Sequence, residues 1–82
     1  MKGRRIYPDK DGNLRLAEGD YGKDGRNVWV CRPPGCHAGD LSNHTVTEHE
    51  DGTITVSPSI LLDEPGGPGW HGYLERGAWR TC

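Results

Sequence analysis

The stretch NHTVTEHEDGTITVSPSI, Asn43 to Ile60, decides the fold. Thr45, Val46 and Thr47 run into Glu50-Asp51-Gly52, and Thr53, Ile54, Thr55 and Val56 run out of it. β-Branched residues of this kind favour strands, where they pack on a pleated surface. Two charged residues followed by glycine suit a three-residue hairpin loop, because glycine enters the left-handed region without steric cost. With that loop, His49 faces Thr53, Thr47 faces Thr55 and Val46 faces Val56. Val46, Ile54 and Val56 then share one face and the threonines the other. A two-residue Asp-Gly turn would put Val46 on the face opposite Ile54 and Val56, so the apolar pattern selects the longer loop. Pro58 cannot donate to a ladder, so pairing should weaken there.

The same signal recurs at Lys10-Asp11-Gly12, Lys23-Asp24-Gly25 and Glu75-Arg76-Gly77. The flanking sequences differ, so these are turns and not a true repeat. A three-residue loop at 75–77 makes Leu74 face Ala78, Tyr73 face Trp79 and His71 face Thr81, with Tyr73 and Trp79 as a cross-strand aromatic pair. NVWVC (27–31) reads as a strand with Val28 and Val30 on one face and Trp29 and Cys31 on the other. RRIY (4–7) and NLRLA (13–17) read as a weaker hairpin around Lys10-Asp11-Gly12. DEPGGPGW (63–70) is a loop by composition. No segment carries a capped amphipathic helical stripe. The expected fold class is all-β: a small antiparallel sheet of hairpins with about five to seven short strands, arranged like a zinc ribbon or a partly open barrel. The 82 residues make one small domain, with 1–26 a less ordered N-terminal hairpin and 28–80 the core.

Composition narrows the function classes. Apolar residues make up 32% of the chain and the mean hydropathy is -0.83. There is no Phe, and there are thirteen glycines and six prolines. A core this thin raises the question of a staple, by metal or by partner. The net charge is -2 and the basic residues are scattered. Nucleic-acid binding needs a basic stripe, and none is present. No apolar run is long enough to span a membrane and no signal peptide is legible, so the cytoplasm is the expected location. Three cysteines are an odd number, and a reducing compartment suits free thiols or metal ligands.

The segments HTVTEHEDGTITVSPSI and WHGYLERGAW, separated by a Gly/Pro loop, resemble a family of small proteins encoded by phages and prophages of actinobacteria. The resemblance covers roughly residues 28–80. It extends distantly to a wider set of small phage domains with a cysteine knuckle, a strand ending in SPSI, and a late Cys-His before a final hairpin. In that wider set the knuckle and the late pair resemble zinc ligands. Here Cys31 and Cys36 stand at the knuckle with four residues between them, and Trp70-His71 stands at the late position, so His71 alone carries over. The resemblance implies a phage accessory protein in the host cytoplasm.

Two kinds of site follow. Structural zinc takes four Cys or His ligands, two of them commonly from one tight knuckle. Cys31 and Cys36 supply the knuckle, His44 and His71 are the candidates to complete it, and Cys82, His37 and His49 are spares. Against zinc stand the loose spacing, the stiff Pro33-Pro34 and the tendency of free cysteine to behave as a small apolar residue. His44, Glu48, His49 and His71 carry acid–base groups, but a small sheet offers few deep pockets, so no catalysis is expected. Trp70, Tyr73 and Trp79 form the candidate interface, because Trp and Tyr are enriched at interface hot spots; at least two of the four rings Trp29, Trp70, Tyr73 and Trp79 are expected to be core instead, in place of the absent Phe. The expected function is a protein-binding module for a host factor or for a second copy of the chain. A minor virion component and a small metal-dependent enzyme are the alternatives.

Overall fold

The computed structural model describes residues 1–63 and 69–82. Residues 64–68 of the expected 63–70 loop lie outside it. The described residues form no helix, and so none long and apolar enough to cross a membrane. Their strands are β1 (Arg4–Arg5), β2 (Asp20–Lys23), β3 (Trp29–Cys31), β4 (Gly39–Asp40), β5 (Thr45–Glu48), β6 (Ile54–Ser57), β7 (Ile60–Leu62), β8 (Trp70–Glu75) and β9 (Ala78–Thr81). These nine exceed the expected number, although no strand forms at 13–17, because β2 and β4 were not expected: β4 holds two residues, too few for side-chain alternation to reveal, and Gly22 breaks the pattern of β2. They form three open sheets, β1-β2-β3-β4, β5-β6 and β7-β8-β9, and none closes into a barrel.

The β5–β6 hairpin has the expected register. Val46 faces Val56, Thr47 faces Thr55, and the His49 N–H donates to the Thr53 carbonyl at 2.8 Å. Gly52 sits at φ 86 and closes the three-residue loop. Asp51 holds the loop exit: its carboxylate accepts from the Thr53 hydroxyl at 2.6 Å and the Thr53 N–H at 3.0 Å. The hydroxyl bond is the chief reason that this carboxyl titrates below its ordinary range. Past Pro58 the chain leaves β6 for β7, in a different sheet.

The other turns divide. Lys10-Asp11-Gly12 forms the expected loop, with the Asp9 N–H donating to Asn13 O at 3.0 Å and Gly12 at φ 84. The second loop spans residues 25–27 and not 23–25. Asn27 takes the left-handed position at φ 68, and the Asp24 carboxylate accepts from the Arg26 and Val28 N–H groups. Asn and Asp manage this because short polar side chains tolerate or cap turn backbone. The last hairpin turns on two residues, Arg76 at φ 45 and Gly77 at φ 77. Both central residues at positive φ define the tight turn that matches strand twist. Leu74 therefore faces Trp79, Tyr73 faces Arg80 and Gly72 faces Thr81, one residue away from the expected register.

The expected N-terminal hairpin does not form. β1 pairs in parallel with β2, Arg4 beside Asp20 and Arg5 beside Tyr21. The buried Asp20 carboxylate is the reason. It accepts from Arg4 Nε at 3.2 Å, Arg4 Nη2 at 3.0 Å and the Ala17 N–H at 3.0 Å. A buried carboxylate needs such donors, and they draw the N-terminal segment onto β2. Met1 to Gly3 then run on along β9. Trp79 N–H donates to Met1 O at 2.7 Å, and Gly3 N–H to Gly77 O at 2.7 Å. That segment covers the edge of β9, which would otherwise stand open.

One core joins the sheets. Tyr21, Cys31, Cys36, Leu41, Ile54, Val56, Ile60, Trp70, Leu74 and Trp79 are buried together, with Trp29, Val46 and Leu62 packed at the margin.

Candidate functional site

The knuckle places its thiols inward. Cys31 ends β3, Gly35 turns at φ 72, and the Cys36 N–H returns to Pro33 O at 3.2 Å. Arg32 Nε donates to Cys36 O at 2.9 Å and holds the turn shut. Cys31 is 0% exposed and Cys36 4%, both as free thiols. Burial pushes the Cys31 thiol up to about 12, reinforced by neighbouring Cys36 and Asp40. A thiol protonated at neutral pH is a small apolar core residue.

The histidines expected to complete a zinc site lie elsewhere. His44 Nε2 is 3.1 Å from the Ser59 carbonyl, so that nitrogen carries the proton. Its Nδ1 is buried with no hydrogen-bond partner. His71 Nε2 is 3.1 Å from the Ser59 hydroxyl and 3.7 Å from Cys82 Sγ. Cys31, Cys36, His44 and His71 therefore do not gather into one set. Among the described residues no three Cys, His, Asp or Glu side chains converge to hold a metal ion. The spacing of two cysteines in sequence carries no information on which way their side chains turn; packing of the Pro33-Pro34 corner decided that.

This arrangement predicts an order of thiol reactivity. In the folded chain at pH 8, iodoacetamide should modify exposed Cys82 first, with Cys31 and Cys36 following only on unfolding. Peptide mass spectrometry at timed intervals reads the order. Equal rates for all three would show that the knuckle opens.

The aromatic residues divide just as sharply. Trp70 and Trp79 are 7% and 4% exposed. Their rings meet edge to face, 5.3 Å apart at 87°. Trp79 Nε1–H donates to Gly19 O at 2.9 Å. Gly72 makes room for this pair, since a Cβ there would lie 2.6 Å from the Trp70 ring. Neither indole is available at the surface of the folded chain. Tyr73, the third candidate, is half-buried with the Arg80 guanidinium 4.8 Å over its ring.

A different aromatic group is open. Tyr7 is 67% exposed. Arg5 lies against two rings, 4.6 Å from the centre of Tyr7 and 4.9 Å from that of Trp29. Lys23 Nζ is 4.8 Å from the Trp29 ring. Arg5 Nη1 also donates to Glu48 Oε2 and Gly52 O, each at 2.8 Å, and so ties β1 to the β5–β6 hairpin. Beside Trp29 lies a shallow pocket of about 260 Å³, lined by Leu41, His44 and Val46 among others. Sequence reading noticed Trp29 but missed Tyr7 and Arg5. Their parallel approach to β2 depends on the buried Asp20, and no local pattern announces it.

The remaining acid–base residues are committed locally. His49 Nε2 bonds Thr55 Oγ1 at 2.7 Å, and Glu48 pairs with Arg5. A wider cleft of about 1000 Å³ is bordered by Asp9, Asp24 and Asp40, whose carboxylates accept N–H groups of their own turns.

Comparison with protein-family models, with characterised proteins and with solved structures finds no match to this chain.

Proposed function

We propose that the chain is a small phage accessory protein that works by binding another protein, through the surface formed by Tyr7, Arg5, Trp29 and Lys23. The observation that carries this reading is the exposed Tyr7 ring beside Arg5 and the half-buried Trp29. Tyr, Trp and Arg are the residue types that dominate binding energy at protein interfaces, and rigid rings cost little entropy to dock. The adjoining pocket suits one apolar side chain of the partner. Lys23, outside any ion pair among the described residues, suits a carboxylate next to it. The partner is therefore a host protein that presents an acidic residue beside an apolar one.

Affinity capture from host lysate, followed by binding measurements on the purified partner, tests the assignment. Tyr7→Ala and Lys23→Glu should each weaken binding by roughly tenfold or more while the melting temperature stays within a few degrees. A partner that binds both variants as well as the parent would place the docking surface elsewhere. Recovery of the chain in stoichiometric amount from purified virions would replace this reading with a structural one.

A further inference from the structure

The outward face of β7-β8-β9 carries a second feature, independent of the Tyr7 surface. Trp70, Gly72 and Leu74 turn into the core, so His71, Tyr73 and Glu75 turn out. Leu61 of β7 is the direct partner of His71, and the Cys82 N–H donates to His71 O at 3.0 Å. Leu61, His71 and Cys82 thus form one cross-strand row on the exposed side of the sheet. Leu61 is 60% exposed, a large apolar side chain with water over it.

Within that row the imidazole Nε2 and the thiol Sγ are 3.7 Å apart. In a tetrahedral zinc site, bonds of about 2.3 Å to sulfur and about 2.05 Å to nitrogen give an S···N edge of about 3.6 Å. The two atoms are therefore already spaced as neighbouring ligands of one ion. A single copy stops at two, because among the described residues no third metal-binding side chain joins them.

We infer that His71 and Cys82 are half of a zinc site that a second copy of this chain completes, pinning a twofold dimer through the outer face of β7-β8-β9. Two copies related by a twofold axis supply two imidazoles and two thiolates, a closed Cys2His2 set. Zinc displaces one proton from each Cys82 thiol, and the two thiolates neutralise the ion's charge. Leu61, in the same row, is covered by the facing copy. Arg80 pairs with Glu75 within its own chain, so these two charges on the face offset each other. The bond from the Ser59 hydroxyl to Nε2 is exchanged for the metal.

Purified chain, kept reduced, is titrated with zinc alone and followed by native mass spectrometry and sedimentation. The expected result is a dimer with roughly one ion per two chains, returned to monomer by chelator. Cobalt in place of zinc should give a thiolate charge-transfer band. His71→Ala and Cys82→Ser lie on the surface, so circular dichroism should show them folded, and each should abolish both metal uptake and dimer. Leu61→Asp should weaken the dimer by roughly tenfold or more with the metal ligands intact. Tyr7→Ala should leave it unchanged. No uptake, one ion bound per monomer, uptake that survives Cys82→Ser, or a dimer indifferent to chelator would each overturn the inference.

Discussion

Trp79→Ala is expected to lower stability by about 4 kcal/mol, as truncation of a buried indole commonly does. A domain of this size has on the order of 5–10 kcal/mol in total, so the variant should be substantially unfolded at 37 °C. Three losses combine. The core loses the largest side chain that bridges the N-terminal segment and the last hairpin. The edge-to-face contact with Trp70 disappears. The Gly19 carbonyl, which accepts from Trp79 Nε1, is left without that donor. Trp79→Phe separates the terms, since it keeps a ring but not the donor, and should cost about half as much. Urea denaturation followed by circular dichroism measures both. An alanine variant within about 1 kcal/mol of the parent would mean that the indole does not hold the core.

Gly77→Ala should cost about 3 kcal/mol. Part of this is backbone: Gly77 sits at φ 77, and a Cβ in the left-handed region costs roughly 1–2 kcal/mol. The rest is collision. The added Cβ would stand 2.6 Å from the Tyr21 hydroxyl oxygen and 3.0 Å from Thr53 Cγ2, and Tyr21 is fully buried. Overpacking of that kind adds about 1–3 kcal/mol. Gly35→Ala is the control. Gly35 has a similar φ of 72, but its Cβ would meet nothing closer than Glu18 Oε1 at 3.9 Å. Only the backbone share should appear there, about 1 kcal/mol. The neighbouring turn residue points the opposite way. Arg76 holds φ 45, a region where Asn is favoured, while its backbone N–H donates to Thr55 Oγ1 at 3.0 Å. Arg76→Asn keeps that bond and should raise the melting temperature by about 4 °C. Equal costs for Gly77→Ala and Gly35→Ala would argue against the tight two-residue turn and its contact with Tyr21.

That turn shows where sequence reading succeeds and where it slips. At residues 50–52 the glycine sits third, the valines fix the faces, and the register follows. At residues 75–77 the same charged-charged-glycine signal precedes a shorter turn, because Arg76 accepts a conformation that reasoning by propensity reserves for glycine or asparagine. The one-residue shift moves Trp79 to the side of the sheet that holds Leu74, and so into the core. The expected cross-strand pair with Tyr73 does not form, and this indole is one of the rings that fill the core.

The candidate sites divide on the same line. Cys31 and Cys36 are close in sequence, and the fold keeps them together but turns them inward. His71 and Cys82 are eleven residues apart, and the β8–β9 register alone makes them neighbours. Arg5 reaches Trp29 because Asp20 draws Arg4 onto β2.

Local sequence was enough for the all-β class, the existence of most strands and the register of the β5–β6 hairpin. Those depend on interactions between residues a few positions apart: turn conformation, β-branching, alternation. The tertiary structure alone decided the parallel N-terminal strand, the burial of Trp70 and Trp79, and the surface companions of Tyr7 and His71. These follow from which faces pack together, settled by groups distant in the chain such as the buried Asp20 carboxylate, except that Trp79 is turned inward by the left-handed Arg76 of its own hairpin.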